Sequence, residues 1–85
     1  MRGYMDIHVK FFAAPREALG ESEIEVTVPD GTTVAEVIDR LVERYPVLSA
    51  HTRFLSVAVN RAYVSVQTEV HDGDEVALLP PVGGG

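Results

Sequence analysis

Apolar residues alternate with polar ones over the first part of the chain, which is the pattern of half-buried strands. The alternation predicts a first strand over residues 5–12 and a second strand over residues 23–28. Between them, residues 13–20 predict a short helical turn that starts at Pro15 and stops at Gly20. The apolar positions on one face of these strands are Ile7, Val9, Phe11, Ile24, Val26 and Val28.

The middle of the chain carries the three- and four-residue repeat of an amphipathic helix. Pro29-Asp30-Gly31 breaks the second strand, and Thr33 with Glu36 three residues later has the spacing of a capping box. Pro46 ends the pattern. We therefore expect a helix over residues 34–45 whose apolar stripe covers a sheet. The stripe consists of Val34, Val37, Ile38, Leu41, Val42 and Tyr45.

The last part of the chain predicts three more strands separated by turns. Residues 54–60 alternate as a third strand, and Asn60-Arg61 is a turn into a short strand over residues 63–66. Asp72-Gly73-Asp74 then turns the chain into an apolar run over residues 75–79, which is typical of a buried strand.

The order strand, strand, helix, strand, short strand, strand leaves a single main helix to cover one face of a small mixed sheet. We therefore predict an α+β fold. A length of 85 residues with 46% hydrophobic content suits one compact core, so we expect a single domain over residues 1–85. Residues 80–85 are expected to form an extended C-terminal tail.

Composition narrows the class of function. Thirteen acidic against seven basic residues give a formal charge of −6, which repels phosphate backbones and anionic lipid, so we expect neither nucleic acid nor membrane as a partner. The chain has no cysteine and therefore no thiolate chemistry of its own. It also shows no apolar run long enough to span a membrane and no secretory signal, so a cytoplasmic location is expected.

The polar side chains do not predict a self-contained catalytic or metal site. His8, His51 and His71 lack the close spacing of zinc ligands, and the acidic residues over 72–75 are explained by a tight turn. Ser49 lies close to His51 in sequence, but no third group is placed to orient that pair. We therefore expect no resident metal or cofactor, and no catalysis by this chain alone.

The end of the chain, Pro80-Pro81-Val82-Gly83-Gly84-Gly85, is its most unusual feature. Two prolines favour an extended backbone, and the glycines then remove every side chain. Six extended residues reach roughly 20 Å, at ~3.3 Å per residue, which is enough to enter a narrow pocket of another protein. A glycine-rich end can also be a disordered terminus, but here it follows directly on the predicted strand over residues 75–79.

The carboxylate of Gly85 is then the candidate reactive group. A carboxylate is a poor electrophile until one oxygen becomes a better leaving group, for example in an adenylate, so activation must come from a partner enzyme. The activated carbonyl can accept an amine to give an isopeptide bond, or sulfur to give a thiocarboxylate. Glycine suits this position because a Cβ would crowd the attacked carbonyl inside a tight site.

Five stretches of the chain resemble the small, sulfur-carrying subunit of molybdopterin synthase, a ubiquitin-like β-grasp protein. They are residues 9–13 (VKFFA), 16–20 (REALG), 57–60 (VAVN), 72–77 (DGDEVA) and 80–85 (PPVGGG). The last two form the closing signature and are the specific part of the match. The resemblance covers nearly the whole chain from Met5 onward and implies the β-grasp variant of the predicted α+β fold.

In that family the terminal glycine is adenylated with ATP by an E1-like adenylyltransferase and then converted to a thiocarboxylate, with a sulfurtransferase as the sulfur source. The tail inserts into the large synthase subunit, where the sulfur builds a dithiolene on a pyranopterin precursor in molybdenum cofactor biosynthesis. The resemblance implies that Gly85 is the carrier and Gly84 its slender neighbour. The residues implied in partner docking are Phe11, Phe12, Arg16, Leu79, Pro80, Pro81, Val82 and Gly83.

The chain departs from the family at two places near its end. Leu78-Leu79 stands where many members have an aromatic pair, and Gly83 replaces a more usual alanine or threonine. Three other functions are possible for a protein of the same fold: sulfur transfer for tRNA thiolation, sulfur transfer for thiamine synthesis, and conjugation to lysines as a protein modifier. An interaction module whose tail does no chemistry is a further alternative.

Overall fold

The structure is a computed structural model that describes residues 3–52 and 55–80. Its elements follow one another with short connections. In chain order they are β1 (Tyr4–Phe11), α1 (Ala13–Leu19), β2 (Glu23–Pro29), α2 (Val34–Arg44), a 3₁₀ helix (Pro46–His51), β3 (Ser56–Val59), β4 (Ala62–Tyr63) and β5 (Glu75–Leu79). The predicted order of strands and main helix is therefore confirmed.

The five strands form one mixed sheet in the order β2-β1-β5-β3-β4. Strand β1 pairs with β2 as an antiparallel hairpin and with β5 in parallel, and β3 is antiparallel to both β5 and β4. The parallel β1 and β5 pair requires a long crossover, and α2 lies in it. As a result the first and last strands lie side by side at the centre of the sheet.

The core lies between one face of the sheet and α2. Alternate residues of β1 are buried. Of the predicted helix stripe, Val34, Val37 and Leu41 are buried, and the other three residues are partly buried against the core. The fully buried side chains, each below 2% exposed, are Phe11, Ile7, Leu41, Leu48, Leu78, Val9, Val28, Val34, Val37, Val70 and Val76. The other face of the sheet carries no helix among the described elements and remains open.

The predicted capping box at the start of α2 is confirmed. The Thr33 hydroxyl accepts a hydrogen bond from the Glu36 backbone N–H at 3.3 Å, and the Thr33 backbone N–H donates to Glu36 Oε1 at 3.0 Å. The hydrogen bond from the Thr33 backbone, together with the one from its hydroxyl, holds the pKa of Glu36 below its ordinary value. Two free backbone donors of the helix start are thereby satisfied.

Replacing Thr33 by alanine is expected to lower the free energy of unfolding by about 1 kcal/mol, because one capping acceptor is lost. The lowered pKa of Glu36 also stabilises the native state above pH 4.5, and this contribution disappears as the pH falls through the native pKa. Urea unfolding of wild type and Thr33→Ala at pH 7 and pH 3 measures both effects. Equal stabilities of the two proteins at pH 7 would contradict the capping role.

The turns around β5 are held by one buried carboxylate. Asn60 and Arg61 have φ of 51° and 71°, the left-handed backbone of a tight two-residue hairpin between β3 and β4. The Asn60 side-chain amide donates to Asp74 Oδ1 at 2.9 Å, and the His71 backbone N–H donates to Asp74 Oδ2 at 2.7 Å. Asp74, which is 9% exposed, therefore ties the hairpin to the start of β5.

Several predicted boundaries were wrong. Helix α1 begins at Ala13 instead of Pro15, because Ala13 takes a positive φ of 55° that turns the chain and Pro15 is tolerated in the first helical turn. The third strand begins at Ser56, and residue 54 lies outside the described residues. The fourth strand ends at Tyr63, after which the backbone forms turns.

The 3₁₀ helix over Pro46–His51 was not predicted. It buries Leu48 completely against the core and packs beside α1 and α2. Val47, Leu48 and Ala50 are apolar, but a six-residue segment is too short to show a helical period, so only tertiary contact shows that Leu48 is the residue that is buried. Within residues 3–52 and 55–80, no helix is long and apolar enough to cross a membrane.

Candidate functional site

The candidate site is the end of the sheet from which the C-terminal tail departs. Strand β5 runs between β1 and β3, with Leu78 paired to Phe11 and Leu79 paired to Ser56. Leu78 is fully buried, Leu79 is half-buried and Pro80 is exposed. The tail therefore begins directly after a central strand, β5, which is paired on both sides and anchors Pro80, the first residue of the tail.

The remaining predicted tail residues lie outside the described part of the chain. These are Pro81, Val82, Gly83, Gly84 and Gly85. The roles of Gly85 as the carrier and of these residues as an extended tail stay predictions. They are supported by Pro80, which is exposed directly after the end of β5.

Phe11 and Phe12, predicted together as docking residues, have different environments. Phe11 is 1% exposed and packs in the core, so its side chain is not available to a partner. Alternation along β1 turns Phe12 to the opposite side, where it is 38% exposed. Of this pair, only Phe12 presents an apolar surface next to the tail.

Arg16 lies beside Phe12 on the exposed surface of α1. The positive φ of Ala13 reverses the chain after β1 and brings the helix alongside the strand end. A cleft of about 310 Å³ lies there, lined by Lys10, Phe11, Phe12, Arg16, Ser22 and Glu23. The predicted residue Arg16 thus shares a cleft with Phe12 and with a second cation, Lys10, whereas Leu79 at the base of the tail lies near Phe12 in a different depression.

A shallow depression of about 280 Å³ lies on the open face of the sheet below the tail exit. We call this depression the tail-proximal face. Its centre is apolar and its rim carries charges. It is lined by Lys10, Phe12, Ala58, Arg61, Tyr63, Glu75, Ala77 and Leu79.

Sequence reasoning placed only Phe12 and Leu79 of this face. Tyr63 is 64% exposed, although it belongs to a strand, and it lies across β3 from the apolar residue Ala77 of β5. The sequence feature that could have identified Tyr63 is the alternation in the strands, because Tyr63 belongs to the residues that face away from the core. Only the sheet order shows that these positions form one surface, because they come from four separated segments.

An ion pair lies on the tail-proximal face. Lys10 Nζ is 3.0 Å from Glu75 Oε2, and the two side chains are 35% and 28% exposed. The hydrogen bond from Lys10 is the main cause that holds the pKa of Glu75 below its ordinary value, with smaller contributions from the charges of Lys10, Arg61 and His8. At neutral pH the face therefore presents a fixed pair of opposite charges beside an apolar centre.

Replacing Lys10 by methionine is expected to raise the pKa of Glu75 toward its ordinary value, because the donated hydrogen bond is removed while the aliphatic stem is retained. A carbon-detected NMR titration of the Glu75 carboxyl carbon measures the change. Arg61→Met is the matched control, since Arg61 is the weaker influence and should move the Glu75 pKa less. A larger effect of the control would show that Lys10 is not the main cause.

The described histidines and acids do not gather into a centre. Within residues 3–52 and 55–80, no three His, Asp or Glu side chains lie close enough together to hold a metal ion. His8 Nε2 is 4.0 Å from Glu25 Oε2, and His71 Nδ1 is 3.9 Å from Asp74 Oδ2, each an isolated pair. The chemistry offered by the described site is to bind a partner and to hold the base of the tail.

Comparison with known proteins agrees with this geometry. The model of the ThiS family matches residues 9–85. A molybdopterin synthase sulfur carrier subunit of Mycobacterium tuberculosis is 41% identical over 80 residues, which cover 93% of this chain and 96% of that protein. The crystal structure of small archaeal modifier protein 1 of Haloferax volcanii is 28% identical, with 92% of this chain and 99% of that chain covered and a TM-score of 0.84.

The fold also occurs in a solved complex. That structure contains subunits 1 and 2 of the molybdopterin-converting factor of Helicobacter pylori, and its matching chain is 24% identical with a TM-score of 0.67. The match covers 95% of this chain and 100% of that chain, and it supports the fold alone. From the family match over residues 9–85 and the shared ubiquitin-like β-grasp fold, we conclude that the chain belongs to the ThiS family of ubiquitin-like sulfur carriers.

Proposed function

We propose that this protein carries sulfur on the carboxyl carbon of Gly85 for the synthesis of molybdopterin. The observation that carries the proposal is the position of β5, which delivers the chain from the centre of the sheet into a Pro-Pro-Val-Gly-Gly-Gly end. The relative from Mycobacterium tuberculosis, a molybdopterin synthase sulfur carrier subunit, supports this destination.

Loading requires two steps at Gly85. A carboxylate oxygen attacks the α-phosphorus of ATP in the active site of an E1-like adenylyltransferase, which forms the acyl adenylate and releases pyrophosphate. A hydrosulfide equivalent from a sulfurtransferase then attacks the carbonyl carbon, so that the C–S bond forms, the C–O bond to phosphate breaks and AMP leaves. ATP is thus used by the activating partner and is not a cofactor of this chain.

Delivery takes place in the large subunit of molybdopterin synthase. The thiocarboxylate sulfur attacks a precursor carbon that bears an oxygen substituent, so that a C–S bond forms, a C–O bond breaks and the oxygen leaves as water or as a phosphate oxygen. Water then attacks the acyl carbon, the bond between that carbon and sulfur breaks, the thiolate stays on the pterin and the carboxylate of Gly85 is restored. One dithiolene contains two sulfur atoms, so two loaded chains are consumed for each product. Small residues at positions 83–85 allow the tail to enter a channel that side chains would block.

The tail-proximal face provides the docking surface for these partners. Phe12, Leu79 and Tyr63 supply apolar and aromatic area, and Arg16 and the Lys10 to Glu75 pair supply directional charge around it. The face adjoins the tail, so a partner that binds it controls where the carboxylate goes. These steps belong to the cytoplasm, where we place the protein.

Intact-mass spectrometry tests the proposal directly. The protein is incubated with ATP, an E1-like adenylyltransferase and a sulfurtransferase with its sulfur source, and replacement of one oxygen by sulfur at the C-terminus is expected. Addition of the large synthase subunit and the pyranopterin precursor should then return the mass to that of the carboxylate and yield molybdopterin. An unchanged mass, under conditions that load an established carrier, would refute the carrier function.

A second candidate function is protein modification, which the likeness to the Haloferax modifier favours. In that case the activated Gly85 carbonyl accepts a lysine amine. This chain has a single lysine, Lys10, and that lysine is paired with Glu75. A modifier role would therefore attach single copies of this protein to other proteins. Polymers of linked copies could form only through Lys10. Mass spectrometry distinguishes the two functions by searching for lysine peptides that carry residues 62–85 of this chain, the remnant that trypsin leaves after cleavage at Arg61.

A further inference from the structure

A second surface, separate from the tail-proximal face, lies at the opposite edge of the sheet. Strand β2 is the edge strand, and β1 lies between it and β5, the strand that carries the tail. A groove of about 380 Å³ runs between β2 and α2. Its lining consists of Val26, Thr27, Arg40, Leu41, Glu43 and Arg44.

The backbone of β2 is open along this groove. The Phe11 N–H donates to the Ser22 carbonyl at 2.9 Å, so Ser22 points its backbone toward β1. Every second residue of an antiparallel strand does the same, so the backbone N–H and C=O groups of Ile24 and Val26 also point toward β1. The N–H and C=O groups of the intervening residues, Glu25 and Thr27, point outward, and among the described residues none forms a hydrogen bond with them. An edge of this kind is a template for an additional strand.

The charged lining of the groove consists of two arginines and one glutamate. Arg40 and Arg44 lie one turn apart on α2, and neither has a carboxylate partner within 4.0 Å among the residues described. The guanidinium of Arg44 stacks over the Tyr45 ring at 5.2 Å, and this contact with the ring face uses none of its N–H groups as hydrogen-bond donors. Glu43 also lines the groove, and Glu36, one turn before Arg40, accepts hydrogen bonds from Thr33 and interacts electrostatically with Arg40 as well. The two arginines are therefore available to an acidic ligand although the protein has a net charge of −6.

We propose that this groove binds an extended acidic segment of a partner protein, which adds to the sheet as a strand beside β2. Backbone groups of the segment would pair with Glu25 and Thr27, as in other cases of strand addition. Acidic side chains at every second position would then face α2 and meet Arg40 and Arg44.

The spacing of the two arginines fits this arrangement. Four residues of an α-helix rise about 6 Å, and two residues of a strand advance about 6.8 Å, so carboxylates on one face of a strand match cations at i and i+4. The other face of the added strand would lie beside Glu23 and Glu25 on the open side of the sheet. The preferred ligand therefore alternates acidic residues with neutral or basic ones.

A second copy of this chain is a poor occupant. Antiparallel pairing of two β2 strands would bring Glu23 and Glu25 of one copy beside the same residues of the other, and like charges on directly opposed strands are destabilising. It would also bring the two Arg40 and Arg44 pairs near each other, with only one glutamate, Glu43, in the lining of each groove. The charges of this edge therefore oppose self-association while favouring an acidic partner strand.

The test uses the intact protein and a fluorescent twelve-residue peptide that alternates glutamate with threonine and lysine. Fluorescence anisotropy gives the affinity, and ¹⁵N-resolved NMR gives the location. We expect shifts concentrated at the amides of Glu25 and Thr27 and at α2. The double variant Arg40→Glu/Arg44→Glu should weaken binding at least about fivefold, from the loss of two exposed ion pairs. A peptide of the same composition with its glutamates grouped at one end should bind more weakly than the alternating one.

Two further variants separate the groove from general effects of charge. Arg61→Glu, on the tail-proximal face, should leave the affinity unchanged, and Glu25→Pro, which removes an outward N–H, should weaken binding while thermal unfolding verifies its fold. The proposal is overturned if no shifts occur at millimolar peptide, if they concentrate on the tail-proximal face, or if the double arginine variant binds as tightly as the wild type. None of these readouts depends on sulfur loading.

Discussion

Replacing Gly84 by valine is expected to abolish sulfur transfer while leaving thermal unfolding unchanged. A branched side chain next to the reactive carbonyl would widen the tail and displace the acyl carbon, and a displacement of about 1 Å can reduce a rate by about 10²-fold. The fold should not respond, because the packed core ends at Leu78 and Pro80 is already exposed. The measurement is the rate of thiocarboxylate formation by intact mass, with molybdopterin formed as a second readout.

A chain with one alanine added after Gly85 is the stronger form of the same experiment. Its carboxylate belongs to a different residue and is displaced by one residue, so both loading and delivery should fail. One alanine inserted after Met1 is the matched control, because it adds the same residue and leaves Gly85 at the end of the chain. Full pterin sulfuration by the chain with the added alanine, without prior trimming, would exclude Gly85 as the carrier.

Phe11→Ala is expected to lower the free energy of unfolding by about 3–5 kcal/mol, whereas Phe12→Ala should lower it by about 1 kcal/mol or less. The two residues are neighbours of the same type, but Phe11 is 1% exposed in the core and Phe12 is 38% exposed beside the tail. The larger loss is a substantial part of the roughly 5–15 kcal/mol that stabilises a domain. Urea unfolding of both variants measures the difference.

The same pair separates stability from docking. Phe12→Ala should fold normally and yet bind the large synthase subunit or the adenylyltransferase more weakly, because it removes apolar area from the tail-proximal face. Phe11→Leu, which retains core volume better than alanine, should keep both stability and docking closer to the wild type. Equal losses of stability for Phe11→Ala and Phe12→Ala would contradict the assigned burial.

Much of the fold followed from local pattern. The stripe from Val34 to Tyr45, the Thr33 and Glu36 capping box and the alternation in β1 and β2 each produced an element at the predicted place. These features are local, since the spacing of apolar residues and the chemistry of a helix start depend on neighbours in sequence. The errors fell at the ends of elements. Helix α1 begins at Ala13, where the positive φ turns the chain, and β3 begins at Ser56, where its pairing with β5 begins.

The docking surfaces were predicted less completely, for a physical reason. Phe11 and Phe12 cannot be told apart by composition, and the burial of one depends on which side of β1 faces α2. Tyr63 joined the tail-proximal face only because β4 lies beyond β3 in the sheet. The pairing of Lys10 with Glu75 spans 65 residues of chain and has no local signature.

The amino-acid sequence by itself determined the element order, the amphipathic stripe of the helix and the slender glycine end, because each depends on residues close together in the chain. Only the tertiary structure decided that β1 and β5 lie in parallel at the centre, which places Leu79, at the base of the tail, near Phe12. It also decided that β2 is an open edge next to Arg40 and Arg44. Contacts between distant segments depend on sheet order and register, and a one-dimensional pattern does not encode these directly.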